Sequence, residues 1–228
     1  MNPLDNPIWH ALNTSHAHFA ATCGLARRFP SEVSVLGGFA EPSPDNYAFL
    51  ASLLKPGERV GLFLPDPPEP PPGWTVVSTG PLAQMVYSRS RGSVPVNHAC
   101  ATEFVPLTKA DVPEMLALTK LTKPGPFSGR TYEMGEYLGI RIGGVLVAMA
   151  GERLRLPDYT EISAVCTHPD HLGHGYATAL VTTLMERICA RGDEPILHVR
   201  SENTRAVALY EHLGFEQRKT LQYAVLHV

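Results

Sequence analysis

Residues 165–177, VCTHPDHLGHGYA, gather more chemistry-bearing side chains and glycines than any other stretch of this chain. Gly173 and Gly175 let the main chain turn sharply and let a ligand approach its amides without an intervening side chain. A long amphipathic pattern follows over residues 176–191, with Leu180, Val181, Leu184, Met185, Ile188 and Cys189 on one stripe and Gly192 as its stop. A helix starting there offers unbonded N–H groups and about half a positive charge at its N-terminus. Acids in the first turn usually offset that dipole, yet no Asp or Glu occurs from Gly173 to Met185. The pattern fits a phosphate or pyrophosphate arriving from outside; a plain glycine turn between strand and helix is the alternative. A Gly-Lys-Ser/Thr phosphate loop is excluded, because Tyr176 and Ala177 follow Gly175, and a dinucleotide fingerprint fails at Thr178. His168, His171 and His174 are residues that can ligate zinc, but Pro169 and the glycines arrange them on a turn rather than one helix face, so no metal site is expected.

A second cluster lies in residues 203–215, NTRAVALYEHLGF. Asn203 and Tyr210 are seven positions apart, two helical turns, and so share a face. Asn203 also suits the N-cap of that helix, and periodicity alone makes Tyr210 a core aromatic.

Together the two segments resemble the GCN5-related N-acetyltransferase superfamily, closest to its FR47-like branch. The family's loop signature, Gln/Arg-x-x-Gly-x-Gly/Ala, corresponds to Leu172, Gly175 and Ala177, with Gly173 and His174 between. Its later signature corresponds to Asn203, Ala208-Leu209-Tyr210 and Leu213-Gly214-Phe215. Leu172 departs from the pattern, since the family carries Gln or Arg there, and the loop holds no Lys or Arg. The resemblance spans about residues 102–228. It implies an α/β (α+β) fold with a central mixed β-sheet flanked by helices, and acetyl-CoA (coenzyme A) as the acyl-donor co-substrate of an amine acceptor. By the same resemblance Leu172, Gly173, His174, Gly175, Tyr176, Ala177, Thr178 and Asn203 face the coenzyme, with His174 a candidate for the donor that Leu172 lacks. The main chain of Val165, Cys166 and Thr167 would pair with pantetheine and polarise the thioester.

Acetyl transfer needs a deprotonated amine, a stabilised thioester oxygen and a protonated leaving thiolate. The family's direct attack in a ternary complex leaves Cys166 without a nucleophilic role. Tyr210 is the expected general acid, because a phenol near 10 is close to an alkyl thiol. Two residues are candidates for the base. Glu161 ranks first, since alternation places it on a face with Ser163, Val165 and Thr167; His198 on the next strand is the second. A non-catalytic acyl-CoA-binding or regulatory module of the same fold is the alternative function.

The elements that must position these residues read clearly from residue 103 onward. Strands are expected over 103–107, 136–142, 145–154, 160–167 and 196–199, with two more in 215–228; helices are expected over 109–121, 176–191 and 203–213. Gly143-Gly144 turns the one hairpin. The first hundred residues differ. They hold most of the 21 prolines, six of them in PDPPEPPPG at residues 65–73. A helix over 46–54, a strand over 59–64, a surface loop at the proline run, and strands over 74–78 and 82–87 about a Thr79-Gly80-Pro81 turn are expected there. Residues 89–101 read as a linker, dividing an N-terminal α/β domain (1–100), a candidate degenerate copy of the second, from the acetyltransferase-like domain (101–228).

Composition narrows the partners. Of 228 residues, 44% are hydrophobic, which permits a packed core, and the net charge of −3 gives neither half the basic excess that nucleic acid demands. No apolar run approaches a membrane span, and four scattered cysteines suit reduced thiols in the cytoplasm. The oligomeric state is not written in any motif.

Overall fold

A computed structural model of the chain describes residues 2–87 and 103–228; the expected linker lies outside them. The N-terminal hundred begins with α1 (Pro7–Asn13) and three short strands, β1 (Ala21–Cys23), β2 (Ala26–Arg28) and β3 (Gly37–Phe39), which form a small antiparallel sheet. Helix α2 (Pro44–Ser52) starts at Ser43, whose side chain accepts from the Asn46 N–H, with Pro44 pre-set in the first turn. Strands β4 (Arg59–Leu64) and β5 (Thr75–Val86) flank the proline run. Then follow β6 (Phe104–Pro106), α3 (Val112–Thr122), β7 (Tyr137–Ile142), β8 (Val145–Leu156), β9 (Tyr159–Thr167), α4 (Tyr176–Ala190), β10 (Glu194–Arg200), α5 (Thr204–His212) and β11 (Glu216–His227). A capping box between Thr108 and Asp111 opens the turn that leads into α3.

Eight strands make one mixed sheet in the order β4-β11-β5-β10-β9-β8-β7-β6. Strand β5 sits between β11 and β10, antiparallel to both, so the segments expected as separate domains share one sheet. Their cores are shared as well. Leu4, Ile8, Leu12, Phe29 and Val33 pack with Leu154, Leu156 and Ile196, and Val60 and Leu62 pack with Ala224 and Leu226.

Two local expectations are corrected. Thr79-Gly80-Pro81 is no turn; β5 runs straight through it. Pro81 is tolerated because it lies just past the last β10 rung, Arg200↔Leu82, and its carbonyl still accepts from the Ser201 N–H. Residues 215–228 form one strand rather than two, with bulges absorbing the twist of its long pairing with β5.

Helix α4 covers one face of the sheet through Leu180, Val181, Leu184, Met185 and Ile188, while α3 covers the other through Met115 and Leu118. No helix among the described residues is long and apolar enough to cross a membrane.

Candidate active site

The parallel pair β9–β10 positions the site. Its ladder covers only Tyr159↔Glu194, Thr160↔Pro195 and Glu161↔Ile196, after which the strands part. Among the described residues, β9 has no partner on its β10 side from Ile162 onward, and a cavity of about 970 Å³ opens in the gap. The expected cofactor-facing residues Val165, Cys166, Thr167, Leu172, Gly173, His174, Gly175, Tyr176, Ala177, Thr178 and Asn203 all line it, as do Tyr210 and His198. Glu161 does not.

At one end of the cavity is the glycine loop. Gly173 and Gly175 hold φ of +83° and +76°, and a Cβ at either would meet open space, so their role is conformation and access rather than packing. Gly175 caps α4 with no side-chain partner and no acid in the first turn. Among the described residues, the main-chain N–H groups from Gly173 through Thr178 have no acceptor. Such a row of free N–H groups at a helix start is what a backbone-built anion cradle requires. The Leu172 side chain is half exposed and takes no part in it. His174 stacks on Tyr176, and its Nδ1 lies 3.1 Å from both the His171 and the Leu172 carbonyls. Carbonyls only accept, so the proton is on Nδ1, and Nε2 becomes a donor only in the imidazolium. The donor that Leu172 lacks is therefore not replaced by neutral His174.

Asn203 caps α5, its Oδ1 accepting from the Ala206 N–H at 3.2 Å, which leaves its amide nitrogen for the cavity. Tyr210 is only 8% exposed and packs edge-on to Phe215, while its hydroxyl has no partner among the described residues. Burial pushes its phenol up to about 12. The balanced proton transfer expected of an unperturbed phenol is thus corrected. A tyrosine held this firmly protonated is a hydrogen-bond donor at neutral pH, and full transfer to a thiolate near ~8.5 is uphill. Burial likewise raises the Cys166 thiol to about 11, which keeps it unreactive.

Alternation along β9 is broken. Ala164 has φ +53°, and the β8–β9 register slips between Met149↔Cys166 and Gly151↔Ser163, so one extra residue sits on β9. Ile162 and Val165 both pack toward α4, whereas Ala164 and Cys166 pack toward α3. The expected common face of Glu161 and Val165 is lost to this bulge.

At the other end, where the strands begin to part, side chains replace backbone. Glu161 is fully buried and saturated. Arg153 donates to it from Nε (2.9 Å) and Nη2 (2.6 Å), the Leu154 N–H donates at 3.2 Å, and His198 Nδ1 lies 2.7 Å away. Although burial opposes its charge, the Arg153 guanidinium and His198 hold the carboxyl far below the usual carboxylate range. Gln84 of β5 fixes the imidazole. Its Nε2 donates to the Leu4 carbonyl (2.8 Å) and reaches His198 Nε2 (3.0 Å), while its Oε1 accepts from Arg218 Nη1 (2.9 Å). With the amide so oriented, His198 Nε2 must accept and Nδ1–H must donate to Glu161. Neither base candidate presents a free lone pair to the cavity. Arg153, Gln84 and Phe63, whose ring lies 4.8 Å from that of His198, were not anticipated from sequence. The one local sign was a charged pair, Glu152-Arg153, directly after the apolar run Val145–Ala150 and Gly151 of β8.

A sheet that splits beside a glycine loop, with a buried tyrosine facing the gap, is an arrangement shared with acetyltransferases, as the relatives show. The sequence profile of the FR47-like protein family matches residues 137–224. The crystal structure of an assigned GNAT-family acetyltransferase from Novosphingobium aromaticivorans is 37% identical, with a TM-score of 0.91 over 100% of this chain and 99% of that one. A GCN5-related N-acetyltransferase from Kribbella flavida shares the fold at 17% identity, with a TM-score of 0.61 over 95% and 94% of the two chains. N-alpha-acetyltransferase RimI of Mycobacterium tuberculosis is 38% identical over 84 residues, 36% of this chain; the chain thus spans about half (52%) of that curated relative. The chain belongs to the GCN5-related N-acetyltransferase (GNAT) family of acetyltransferases.

Proposed function

We propose that the protein transfers the acetyl group of acetyl-CoA to the nitrogen of an amine by direct attack in a ternary complex. The observation that carries this reading is the run of N–H groups from Gly173 through Thr178 that have no acceptor among the described residues and open onto the same cavity as the parted strands and Tyr210. The cradle suits a pyrophosphate. The unpaired edge of β9, with Val165, Cys166 and Thr167, suits the amides of an extended pantetheine arm.

A carbon–nitrogen bond forms as the carbon–sulfur bond breaks. The amine proton leaves to water, since no Asp or Glu lines the cavity among the described residues. The leaving sulfur receives a hydrogen bond from Tyr210, and its proton comes finally from solvent. Glu161 is a positioning residue for Arg153 and His198 in this reading, not the base.

Thiol release from acetyl-CoA over an amine panel tests the proposal, wild type against Tyr210→Phe. The variant should lose about a hundred-fold in kcat with little change in KM for acetyl-CoA. The engagement of both Glu161 and His198 favours a second reading, a non-catalytic acyl-CoA-binding or regulatory module. Acetyl-CoA binding by the wild type without thiol release from any amine would establish that reading instead.

A further inference from the structure

Strand β9 runs ~20 Å from Thr167, beside the glycine loop, to Glu161, where pairing with β10 stops. The apex of the split is therefore the end of the cavity remote from the loop, and its wall is unusual in charge. Arg153, only 7% exposed, lines the cavity there. Two of its nitrogens are committed to Glu161, while Nη1 has no partner among the described residues. The Phe63 ring lies 5.7 Å from the guanidinium carbon and 4.8 Å from the His198 ring, so it closes the wall beside both. Among the described residues, every formally charged side chain on the wall of the whole cavity is a cation: Lys123, Arg153, Arg205 and Arg200, the last paired with Glu202. Glu161, the nearest carboxylate, has its acceptor positions filled by Arg153, Leu154 and His198.

A cationic acceptor such as a polyamine would find no free carboxylate at this end among the described residues. A carboxylate would find the Nη1 amino group of an otherwise buried guanidinium, held in place by Glu161, with neither of its hydrogens bonded to protein among the described residues. Because Glu161 already balances most of the Arg153 charge, the site suits a single carboxylate oxygen rather than a phosphate dianion.

We propose that Arg153 is a specificity-determining residue that binds, through Nη1, the carboxylate of the acceptor, and that the acceptor is a small amino carboxylic acid. The inference rests on the acetyl-transfer reading and deepens it.

The test compares, on the wild-type enzyme, thiol release with free amino acids, their carboxamides, a dipeptide and a polyamine at saturating acetyl-CoA. Amino acids should exceed their carboxamides by about ten- to a hundred-fold in kcat/KM, the range of a hydrogen bond to a charged group. Arg153→Lys, checked for folding by its thermal melt, should erase that ratio while leaving KM for acetyl-CoA in place. Equal rates for acids and carboxamides, or a preference for the dipeptide or the polyamine, overturn the inference and leave the transfer reading standing. Intact acetyl-CoA binding with no thiol release from any of them overturns both.

Discussion

The two ends of the cavity are built from different material. At the loop end the donors are main-chain N–H groups from Gly173 to Thr178, drawn from one short stretch and aimed by two glycine torsions and a helix start. The apex is made of side chains instead, Phe63, Gln84, Arg153, Glu161 and His198, carried on five strands and joined through Gln84 to Leu4 and Arg218. Backbone recognition is indifferent to side-chain identity, so under the acetyl-transfer proposal Leu172 can stand where the family signature has Gln or Arg. Side-chain recognition has no such tolerance: each buried polar group at the apex depends on its neighbour for satisfaction. Variation of substrate within one fold belongs to such an end.

The strongest test of the comparison removes the first hundred residues. Without β5, strands β10 and β11 lose the element between them, and Leu154, Leu156, Ile196, Ala224 and Leu226 lose their packing partners. His198 loses Gln84 in the same step. A fragment of residues 103–228 should show no cooperative melt by circular dichroism. A cooperative melt together with normal acetyl-CoA binding would show that the loop end stands without the shared sheet.

This division also explains what could be read from sequence. The loop, α4, α5, the β7–β8 hairpin and β4 follow from local periodicity and from glycine, proline and capping signals, and they lie where those signals place them. Asn203 and Tyr210 share a single helical segment, so their spacing alone brings them to one face. Gln84 and His198 meet across 114 positions and Phe63 reaches Arg153 by a curl of the sheet, so no local pattern marks either contact. Alternation misplaced Glu161 because a single bulge residue, Ala164, reverses the faces of everything after it. Pro81 argued for a turn and sits inside a strand, for a reason visible only in where β10 ends.

A second test probes the apex through its support. Strand β8 bulges between Glu152 and Arg155, and His16, 2% exposed, plugs the gap. Its Nε2 lies 3.0 Å from both the Arg155 N–H and the Arg153 carbonyl, while Nδ1 is buried without a partner. Burial lowers the imidazole pKa to about 4, against the hydrogen bond to Arg153 that raises it. The unfolded chain takes up this proton from about pH 6.5 and the folded chain only near 4, so stability is lost as pH falls through that window. The contribution is about 3 kcal/mol. Urea unfolding at pH 7 and pH 4 should show a smaller loss for His16→Gln than for the wild type by about that amount. Identical losses would mean that the imidazole is not held neutral.

The smallest expected effect separates conformation from recognition at the loop end. Gly175 and Gly57 have nearly the same torsion, φ +76° and +80°, and a Cβ at either meets nothing within 4 Å. One is the cap of α4; the other lies in the turn before β4, outside the cavity lining. Alanine at either position carries the same left-handed strain, about 1–2 kcal/mol, or a few degrees of melting temperature in a chain of this size. If the cradle binds through its backbone, only Gly175→Ala should also raise KM for acetyl-CoA, because relaxing that strain turns the Tyr176 and Ala177 amides away from the anion. A rise of about ten-fold, one hydrogen bond to a charged group, is expected for Gly175→Ala and none for Gly57→Ala. Equal KM values in the two variants would mean that the coenzyme is held by side chains after all, and that the two ends of the cavity are not as different as their construction indicates.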